Sequence, residues 1–249
     1  MAVIITGKTN TGIKRSAKAN EDSFYADKIN GVCLAVVCDG VGGARGGNIA
    51  SSLAVKSFVE TVTRSLENSP ASKSNSYREI LFAAVARAND AVFSAAKDNF
   101  ELEGMGTTMV ACLFDGREYY AINVGDSRMY LIDDKNTVMN QITKDHSLVQ
   151  EMVDSGVMTK EQAEKSPNKN IITRVLGHDD VVNADLYVSK YESGIFLLCS
   201  DGLHDYVGAG DIARYISHYD DIDHCIDELI TKANDNGGGD NITAVIIKP

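Results

Sequence analysis

Proline, closely spaced cysteines and long apolar runs are all scarce in this 249-residue sequence. The three prolines exclude a Pro-rich tail, and the 21 glycines are expected at defined turns. No apolar run approaches the ~18 residues that a membrane-spanning helix needs. The opening segment MAVIITGKTN is too short and too polar for a signal peptide. These absences predict a protein that does not associate with membranes.

The five cysteines are scattered, and no pair has CxxC spacing. An odd number of unclustered cysteines is typical of reduced thiols in the core of a cytosolic protein, so we expect a cytoplasmic location. No His or Cys cluster has the spacing of a zinc site. The cysteines are Cys33, Cys38, Cys112, Cys199 and Cys225.

Positively charged residues are also few. The sequence has 24 Lys and Arg against 35 Asp and Glu, which gives a net charge of −11. Such a surface repels nucleic acid and anionic membranes, so neither is expected as a partner. It also repels phosphorylated molecules unless cations neutralise the binding site locally. We therefore expect part of the acidic excess to be metal ligands.

Apolar periodicity divides the chain into helices and strands. Stripes at Val55–Val62–Leu66 and at Ala84–Ala88–Val92 predict two helices, joined by a polar loop at residues 68–76. A further amphipathic helix is predicted at residues 222–233, and residues 146–169 are a polar surface excursion. Asp115-Gly116 marks a hairpin turn. Strands are predicted at residues 32–38, 107–114, 119–124, 128–132, 195–199 and 242–247.

This order of elements favours antiparallel sheets covered by helices, because strands and helices do not alternate regularly. Four aspartates lie at strand ends beside small or polar residues, and an Asn20-Glu21-Asp22 segment precedes a further strand. Each Asp-Gly alone is most simply a turn. Together, strand ends collected by a sheet would bring several carboxylates into one partly buried place, which suits Mg²⁺ or Mn²⁺. The four are Asp39, Asp126, Asp201 and Asp240.

The glycine-rich stretch at residues 40–47 also invites interpretation as a dinucleotide-binding loop, because it follows a strand and precedes a helix. GxGxxG spacing requires glycine where Arg45 stands, and the loop leaves Asp39 unexplained. We therefore prefer a second interpretation, in which Gly40 lets the backbone approach a metal ion.

Eight motifs in order along the chain resemble the type 2C (PPM) family of metal-dependent protein serine/threonine phosphatases, in its compact bacterial form. The resemblance implies an α+β fold, with two packed antiparallel β-sheets flanked by helices on both outer faces. It also implies a single catalytic domain over residues 1–249, with no appended sensor or anchor, and a flap at residues 146–169. The motifs are Asn20-Glu21-Asp22-Ser23-Phe24, Val37-Cys38-Asp39-Gly40-Val41-Gly42-Gly43, Gly106-Thr107-Thr108, Asn123-Val124-Gly125-Asp126-Ser127-Arg128, Asp145-His146-Ser147, Ile172-Thr173-Arg174-Val175-Leu176-Gly177, Cys199-Ser200-Asp201-Gly202-Leu203 and Gly239-Asp240-Asn241-Ile242-Thr243.

The resemblance further implies which residues bind two or three Mn²⁺ or Mg²⁺ ions. Asp39 would bridge two ions, and the carbonyl of Gly40 would bind one of them. Asp201 and Asp240 would complete the other ion's ligands, and Asp39, Asp201 and Asp240 are thereby the catalytic set. Asp126, with Asp201, would hold a third ion. A hydroxide bridging the metal pair would attack phosphoserine or phosphothreonine directly, without a covalent phosphoenzyme.

Other residues are expected to act on these ligands or on the substrate. Glu21 and Asp22 would act through metal-bound water, and Asn241 would orient Asp240. The family's phosphate-binding arginine has no counterpart at its usual place, where Ala17 stands. Arg15 is the preferred substitute because a guanidinium can bind phosphate through two hydrogen bonds, and Lys18 is the alternative.

Two further departures concern the proton donor and the flap. Val41 replaces a histidine found in eukaryotic members, so a general acid from that position is absent, and Ser166-Pro167 replaces a flap His-Pro. His146 and His204 are interpreted as structural, and Arg128 as paired within the sheet.

Three functions are compatible with these residues. The preferred one is a monomeric phosphatase acting on phosphorylated proteins, namely a cytosolic Ser/Thr kinase and its substrates. A catalytically silent phosphoprotein-binding module would normally have lost a ligand, and none is missing. A phosphatase for small phosphorylated metabolites would use the same chemistry.

Overall fold

The computed structural model describes residues 3–42, 46–68 and 74–249 of the chain. Residues 43–45 of the glycine-rich stretch and residues 69–73 of the loop predicted at 68–76 lie outside this range. The strands, numbered along the chain, are β1 Ile4–Asn10, β2 Asp22–Ile29, β3 Val32–Val41, β4 Gly106–Thr107, β5 Met109–Phe114, β6 Glu118–Val124, β7 Arg128–Asp133, β8 Val138–Gln141, β9 Asp185–Lys190, β10 Ile195–Cys199 and β11 Ile242–Lys248.

The strands form two antiparallel sheets. One has the order β1-β11-β10-β7-β8, and the other has the order β2-β3-β5-β6-β9 with β4 also paired to β3. The central strands are buried on both faces, which is why they appear in the sequence as continuous apolar runs. The sheets pack on each other through residues such as Val110, Met129 and Phe196.

Helices cover the outer face of each sheet, which confirms the four-layer prediction. The α-helices are α1 Gly47–Asn68, α2 Ser74–Asp98, α3 Leu148–Asp154, α4 Lys160–Glu164, α5 Asp201–His204, α6 Ala209–His218 and α7 Ile222–Asp235, with short 3-10 helices at Ile13–Arg15 and Phe100–Leu102. Helices α1 and α2 pack on the β2-containing sheet through Phe58 and Leu81. Helices α6 and α7 pack on the β1-containing sheet through Ile212 and Ile226.

Several sequence predictions need correction in detail. Strands β8 and β9 were not predicted, because their partly exposed residues carry a weaker apolar pattern. Helix α6 was not predicted either, although Ile212, Ala213 and Ile216 form a buried stripe along it. The strand predicted at residues 107–114 is interrupted at Thr108, although β4 and β5 keep one register against β3. At this point the backbone N–H of Asp39 donates to the Thr108 side-chain hydroxyl, at 2.9 Å.

All five cysteines are free and buried, as expected for core thiols. Among the described residues, no helix is both long and apolar enough to cross a membrane. The flap contains α3 and α4 and runs along the surface, in agreement with its polar sequence.

Candidate metal centre

Strand register brings the predicted ligands to one edge of the two sheets. Cys199 of β10 lies opposite Arg128 of β7 on one side and opposite Ala244 of β11 on the other. The segments that follow β10, precede β7 and precede β11 therefore meet. In the facing sheet, Asp22 of β2 is the register partner of Asp39 of β3. The four strand-end aspartates, Asp39, Asp126, Asp201 and Asp240, are thus gathered as expected, with Asp22 beside them.

Four of these carboxyl groups, those of Asp22, Asp39, Asp126 and Asp201, have raised pKa values, because the protein interior disfavours their charged form and neighbouring carboxylates repel it. Burial, followed by the charges of Asp22 and Asp201, holds the pKa of Asp39 well above its usual range. Burial and the neighbouring Asp126 and Asp240 do the same to the pKa of Asp201. Burial also raises the pKa of Asp126 to about 7 and that of Asp22 to about 6. Without a cation, the site therefore resists simultaneous ionisation of these groups.

Three buried carboxyl oxygens in this region have no hydrogen-bond partner among the residues that the structure describes. They are Oδ1 of Asp22, Oδ1 of Asp126 and Oδ1 of Asp201. An unpaired buried carboxylate oxygen is costly unless a cation compensates it. Hard divalent cations prefer oxygen ligands of this kind. The residues present therefore fit Mg²⁺ or Mn²⁺.

The carboxylates are gathered but are not arranged as a preformed metal cage. Within residues 3–42, 46–68 and 74–249, no group of three or more His, Cys, Asp or Glu side chains is already positioned around one cation point. Arg15 supplies positive charge instead. Its Nη1 contacts Oδ1 of Asp240 and lies 3.4 Å from Oε2 of Glu21. A cation bound by Asp240 would compete with this ion pair.

Of the two basic residues proposed for phosphate binding, Arg15 is the one at the carboxylates. It lies at the end of the 3-10 helix Ile13–Arg15, with its side chain 30% exposed. Lys18 follows in the same loop, where its backbone N–H donates to the carbonyl of Arg15, and its side chain is exposed. The geometry therefore favours Arg15 over Lys18.

Glu21 and Asp22, at the start of β2, are held in the site by different hydrogen bonds. Oδ2 of Asp22 accepts hydrogen bonds from the hydroxyls of Ser200, at 2.7 Å, and Thr243, at 2.6 Å. The backbone N–H of Glu21 donates to Oδ1 of Asn241, at 2.7 Å. The backbone N–H of Asn241 donates to Oδ1 of Asp240, also at 2.7 Å. Asn241 thus connects Glu21 to Asp240, a broader role than the orientation of Asp240 alone.

Two glycines allow close backbone contacts at the site. A Cβ on Gly40 would lie 2.0 Å from the carbonyl oxygen of Gly47, and one on Gly202 would lie 1.9 Å from that of Asn241. Gly40 is therefore required by the crossing of its own backbone with Gly47. This contact is a second reason for glycine at this position, beside the predicted approach of the backbone to a metal ion.

We expect Gly202→Ala to destabilise the protein by about 3 kcal/mol or more, because the added methyl group meets a backbone oxygen that cannot rotate away. Gly210→Ala is the matched control, since Gly210 lies in α6 with open space around it. That exchange should stabilise the helix by up to about 1 kcal/mol. Urea denaturation of both variants tests the pair, and equal stability of Gly202→Ala and wild type would contradict the prediction.

His146 and His204, both predicted to be structural, contact the backbone of the turn that contains Asp126. The backbone N–H of Gly125 donates to Nδ1 of His146 at 3.0 Å, and the N–H of His146 returns a bond to the carbonyl of Gly125 at 2.9 Å. Nε2 of His204 lies 3.3 Å from the carbonyl oxygen of Asp126. Arg128 forms its ion pair with Asp145, beyond β8, rather than within the sheet.

A cavity of ≈ 510 Å³ adjoins the metal-ligand candidates on the flap side. Asp126 and Asp201 line one end of it, and Val149 and Ala163 of the flap line another part. At its rim, Nζ of Lys169 donates to Oδ2 of Asp205 at 2.5 Å. The flap therefore forms one wall of the space beside the candidate site.

Comparison with known proteins places these features in a family. The model of the family described as "Protein phosphatase 2C" matches residues 11–240. The serine/threonine phosphatase stp of Listeria innocua is 36% identical over 216 residues, which cover 86% of this chain and 84% of the relative. The stp protein of Listeria monocytogenes is 34% identical over 242 residues, covering 97% and 94% of the two chains.

Solved structures show the same similarity. The crystal structure of the serine/threonine phosphatase Stp1 from Staphylococcus aureus has a TM-score of 0.90 and 32% identity, covering 100% of this chain and 96% of that one. The catalytic domain of the phosphatase PstP, crystallised with two manganese ions, has a TM-score of 0.83 and 32% identity, covering 99% and 97%.

Proposed function

The chain belongs to the protein phosphatase 2C family of metal-dependent protein serine/threonine phosphatases, and from this premise we propose which of its residues perform the reaction. Asp39, Asp201 and Asp240, with the carbonyl of Gly40, hold a pair of Mn²⁺ or Mg²⁺ ions. Asp126 and Asp201 hold a third ion. The observation that carries this assignment is the gathering of Asp39, Asp126, Asp201 and Asp240, whose charges act on one another across separate strand ends. Among the described residues, Oδ1 of Asp126 and Oδ1 of Asp201 are also buried without a hydrogen-bond partner.

The chemistry divides between the cations and the protein. When bound, divalent cations lower the pKa of a water molecule and neutralise charge on the phosphoryl oxygens. The Thr107 hydroxyl donates to the Asp39 carbonyl and the Asp39 N–H donates to the Thr108 hydroxyl, so both threonines orient Asp39. The N–H of Asn241 donates to Oδ1 of Asp240 and orients that carboxylate. Val41 follows Gly40 and has no proton to donate to the leaving serine or threonine oxygen. Glu21 and Asp22 stand beside the site to act through water.

A direct assay tests the assignment of the reaction. Purified protein with Mn²⁺ should hydrolyse both p-nitrophenyl phosphate and a phosphothreonine peptide, and EDTA should abolish both activities. Readdition of Mn²⁺ should restore them, because the site is built of oxygen ligands that bind reversibly. Full activity after exhaustive EDTA treatment would overturn the proposal.

Arg15 is the proposed phosphate-binding residue, because its guanidinium lies beside Asp240 at the edge of the site. We expect Arg15→Ala to raise KM for the phosphothreonine peptide by about 10- to 100-fold, the loss of one charge-assisted bidentate contact. Arg15→Lys should recover only part of this, since an ammonium cannot bind bidentately. Lys18→Ala is the matched control and should change KM less than about twofold. Comparable effects at both positions would refute the preference for Arg15.

Phosphorylated proteins are the substrate class, and the proposal extends to a cytosolic Ser/Thr kinase and its substrates. Five buried free thiols support a reducing compartment. We further propose a monomer, which light scattering coupled to size-exclusion chromatography will test. Phosphoproteomics on a deletion strain complemented with the Asp39→Ala variant would identify the phosphosites that depend on the activity.

A further inference from the structure

Thr108 lies between the proposed metal ligands Asp39 and Asp126. It contacts both neighbours of Asp126 in the chain, Gly125 and Ser127. Its hydroxyl accepts the backbone N–H of Asp39 at 2.9 Å, and its own N–H donates to the Asp39 carbonyl at 2.8 Å. Its Oγ1 is also 2.7 Å from Oγ of Ser127. Ser127 directly follows Asp126, so one side chain joins the two ligand segments.

The bond from Asp39 departs from the ordinary pattern of the sheet. Opposed residues of an antiparallel pair exchange two backbone N–H···O=C bonds. Here the side chain of Thr108 takes the place of its carbonyl as acceptor, and the carbonyl accepts from the hydroxyl of Thr107 at 3.0 Å. Because the Thr108 oxygen accepts from Asp39, its own proton is available for Ser127.

The methyl group of Thr108 packs against Gly125, the residue that precedes Asp126. A Cβ placed on Gly125 would lie 2.6 Å from Cγ2 of Thr108, so the Gly125 backbone rests directly on this side chain. Gly125 also has a φ of +104°, a conformation that glycine adopts readily. Thr108 and Ser127 are fully buried, so water does not compete for the hydroxyl link between them.

We propose that Thr108 is a positioning residue that couples the metal pair held by Asp39 to the ion held by Asp126, through its hydroxyl link to Ser127. This inference rests on the metal assignment proposed above. An ion at Asp126 fixes the 125–127 turn, the link transmits that position to Thr108, and Thr108 fixes the backbone of Asp39. Coupling of this kind is reciprocal, so filling of either part strengthens binding at the other.

Thr107 provides a matched control. It is also a fully buried threonine, and its hydroxyl donates to the Asp39 carbonyl at 2.8 Å. Among the hydrogen bonds of the described residues, however, none joins its side chain to residues 125–127. Loss of the Thr107 hydroxyl therefore disturbs Asp39 without breaking the connection to Asp126.

The experiment measures Mn²⁺ binding by calorimetry, with Asp126→Ala introduced into several backgrounds. The quantity of interest is the factor by which Asp126→Ala weakens Mn²⁺ binding to the remaining sites. We expect about tenfold in wild type, within the usual range of coupling between sites. The factor should fall clearly below the wild-type value in Thr108→Val, which keeps the shape of the side chain but lacks the hydroxyl. The part that remains is the direct coupling through Asp201, the proposed ligand of both the pair and the third ion. It should persist in Thr108→Ser and in Thr107→Val.

Ser127→Ala keeps the test decisive if Thr108→Val does not fold, as judged by circular dichroism. It breaks the hydroxyl link but leaves the Asp39 bond intact, and it should also reduce the factor clearly below the wild-type value. A factor that is unchanged in the folded variants, already near one in wild type, or equally lost in Thr107→Val overturns the proposal. Failure of the metal assignment is distinguishable, because Asp39→Asn would then leave Mn²⁺ binding unchanged.

Discussion

Replacement of Asp39 by asparagine should abolish phosphatase activity and, at the same time, make the metal-free protein more resistant to unfolding. Activity should fall at least about a thousandfold, because the several kcal/mol of charge stabilisation that a catalytic metal supplies are lost with its bridging ligand. Stability should rise because the exchange removes a buried carboxylate that Asp22 and Asp201 repel. Hydrolysis of p-nitrophenyl phosphate with Mn²⁺ and urea denaturation in EDTA measure the two effects.

Asp133→Asn is the control for this prediction, because Asp133 is also an aspartate at a strand end. Its carboxylate accepts bonds from Lys135 and Asn136, and these bonds hold its pKa below the usual range. The variant should keep full activity and gain no stability. If Asp39→Asn kept more than a tenth of the activity, or destabilised the metal-free protein as Asp→Asn does at an ordinary turn, the assignment of Asp39 would be wrong.

The metal-free protein should lose stability as the pH rises from about 5 to about 8. Burial raises the folded-state pKa of Asp126 to about 7 and that of Asp22 to about 6, from about 3.9 in the unfolded chain. Between these values the folded state binds more protons than the unfolded state, so stability falls with rising pH. At about 1.4 kcal/mol per pKa unit, these two groups account for roughly 4 kcal/mol over this range. Asp39 and Asp201 act in the same direction.

Saturating Mn²⁺ should reverse this trend at the upper end of the pH range, since cations bind the ionised carboxylates and stabilise only the folded state. Urea denaturation at several pH values, with EDTA or with Mn²⁺, tests both statements. Asp126→Asn should flatten the EDTA curve, because it removes one of the titrating groups. A metal-free protein that is more stable at pH 8 than at pH 5 would falsify the prediction.

Both predictions concern aspartates at the ends of buried strands, and the sequence predicted some parts of this structure better than others. Apolar runs located the buried strands, and the residues beside them identified Asp39, Asp126 and Asp201, which follow an apolar run, and Asp240, which precedes one. The eight motifs then implied the fold and the family, both of which are confirmed. Strands β8 and β9 were not predicted because partly exposed strands carry little periodic signal. Helix α6 was missed for another reason, since its apolar stripe is clear but the helix is only 10 residues long.

The sequence did not predict the hydrogen-bond partners of individual side chains around the aspartates. Gly106-Thr107-Thr108 was recognised as a motif, but its purpose depends on Ser127 and Asp39, which are 19 and 69 residues away along the chain. Arg128 was expected to pair within the sheet, and it does donate to the Tyr130 hydroxyl in β7, but its ion pair is with Asp145, outside the sheet. Sequence spacing does not specify such partners, because they are set by the register of strands that meet only in the fold.

The sequence by itself therefore determined which segments are buried strands, which aspartates end them and which family they resemble, because local apolar patterns and short motifs are written in consecutive residues. Only the tertiary structure decided how these groups are used. It satisfies one oxygen of Asp22 with Ser200 and Thr243 while leaving the other unpaired, and it places Arg15 rather than Lys18 beside Asp240. These outcomes depend on which distant backbones cross, since burial and pairing of a charge are properties of its three-dimensional surroundings.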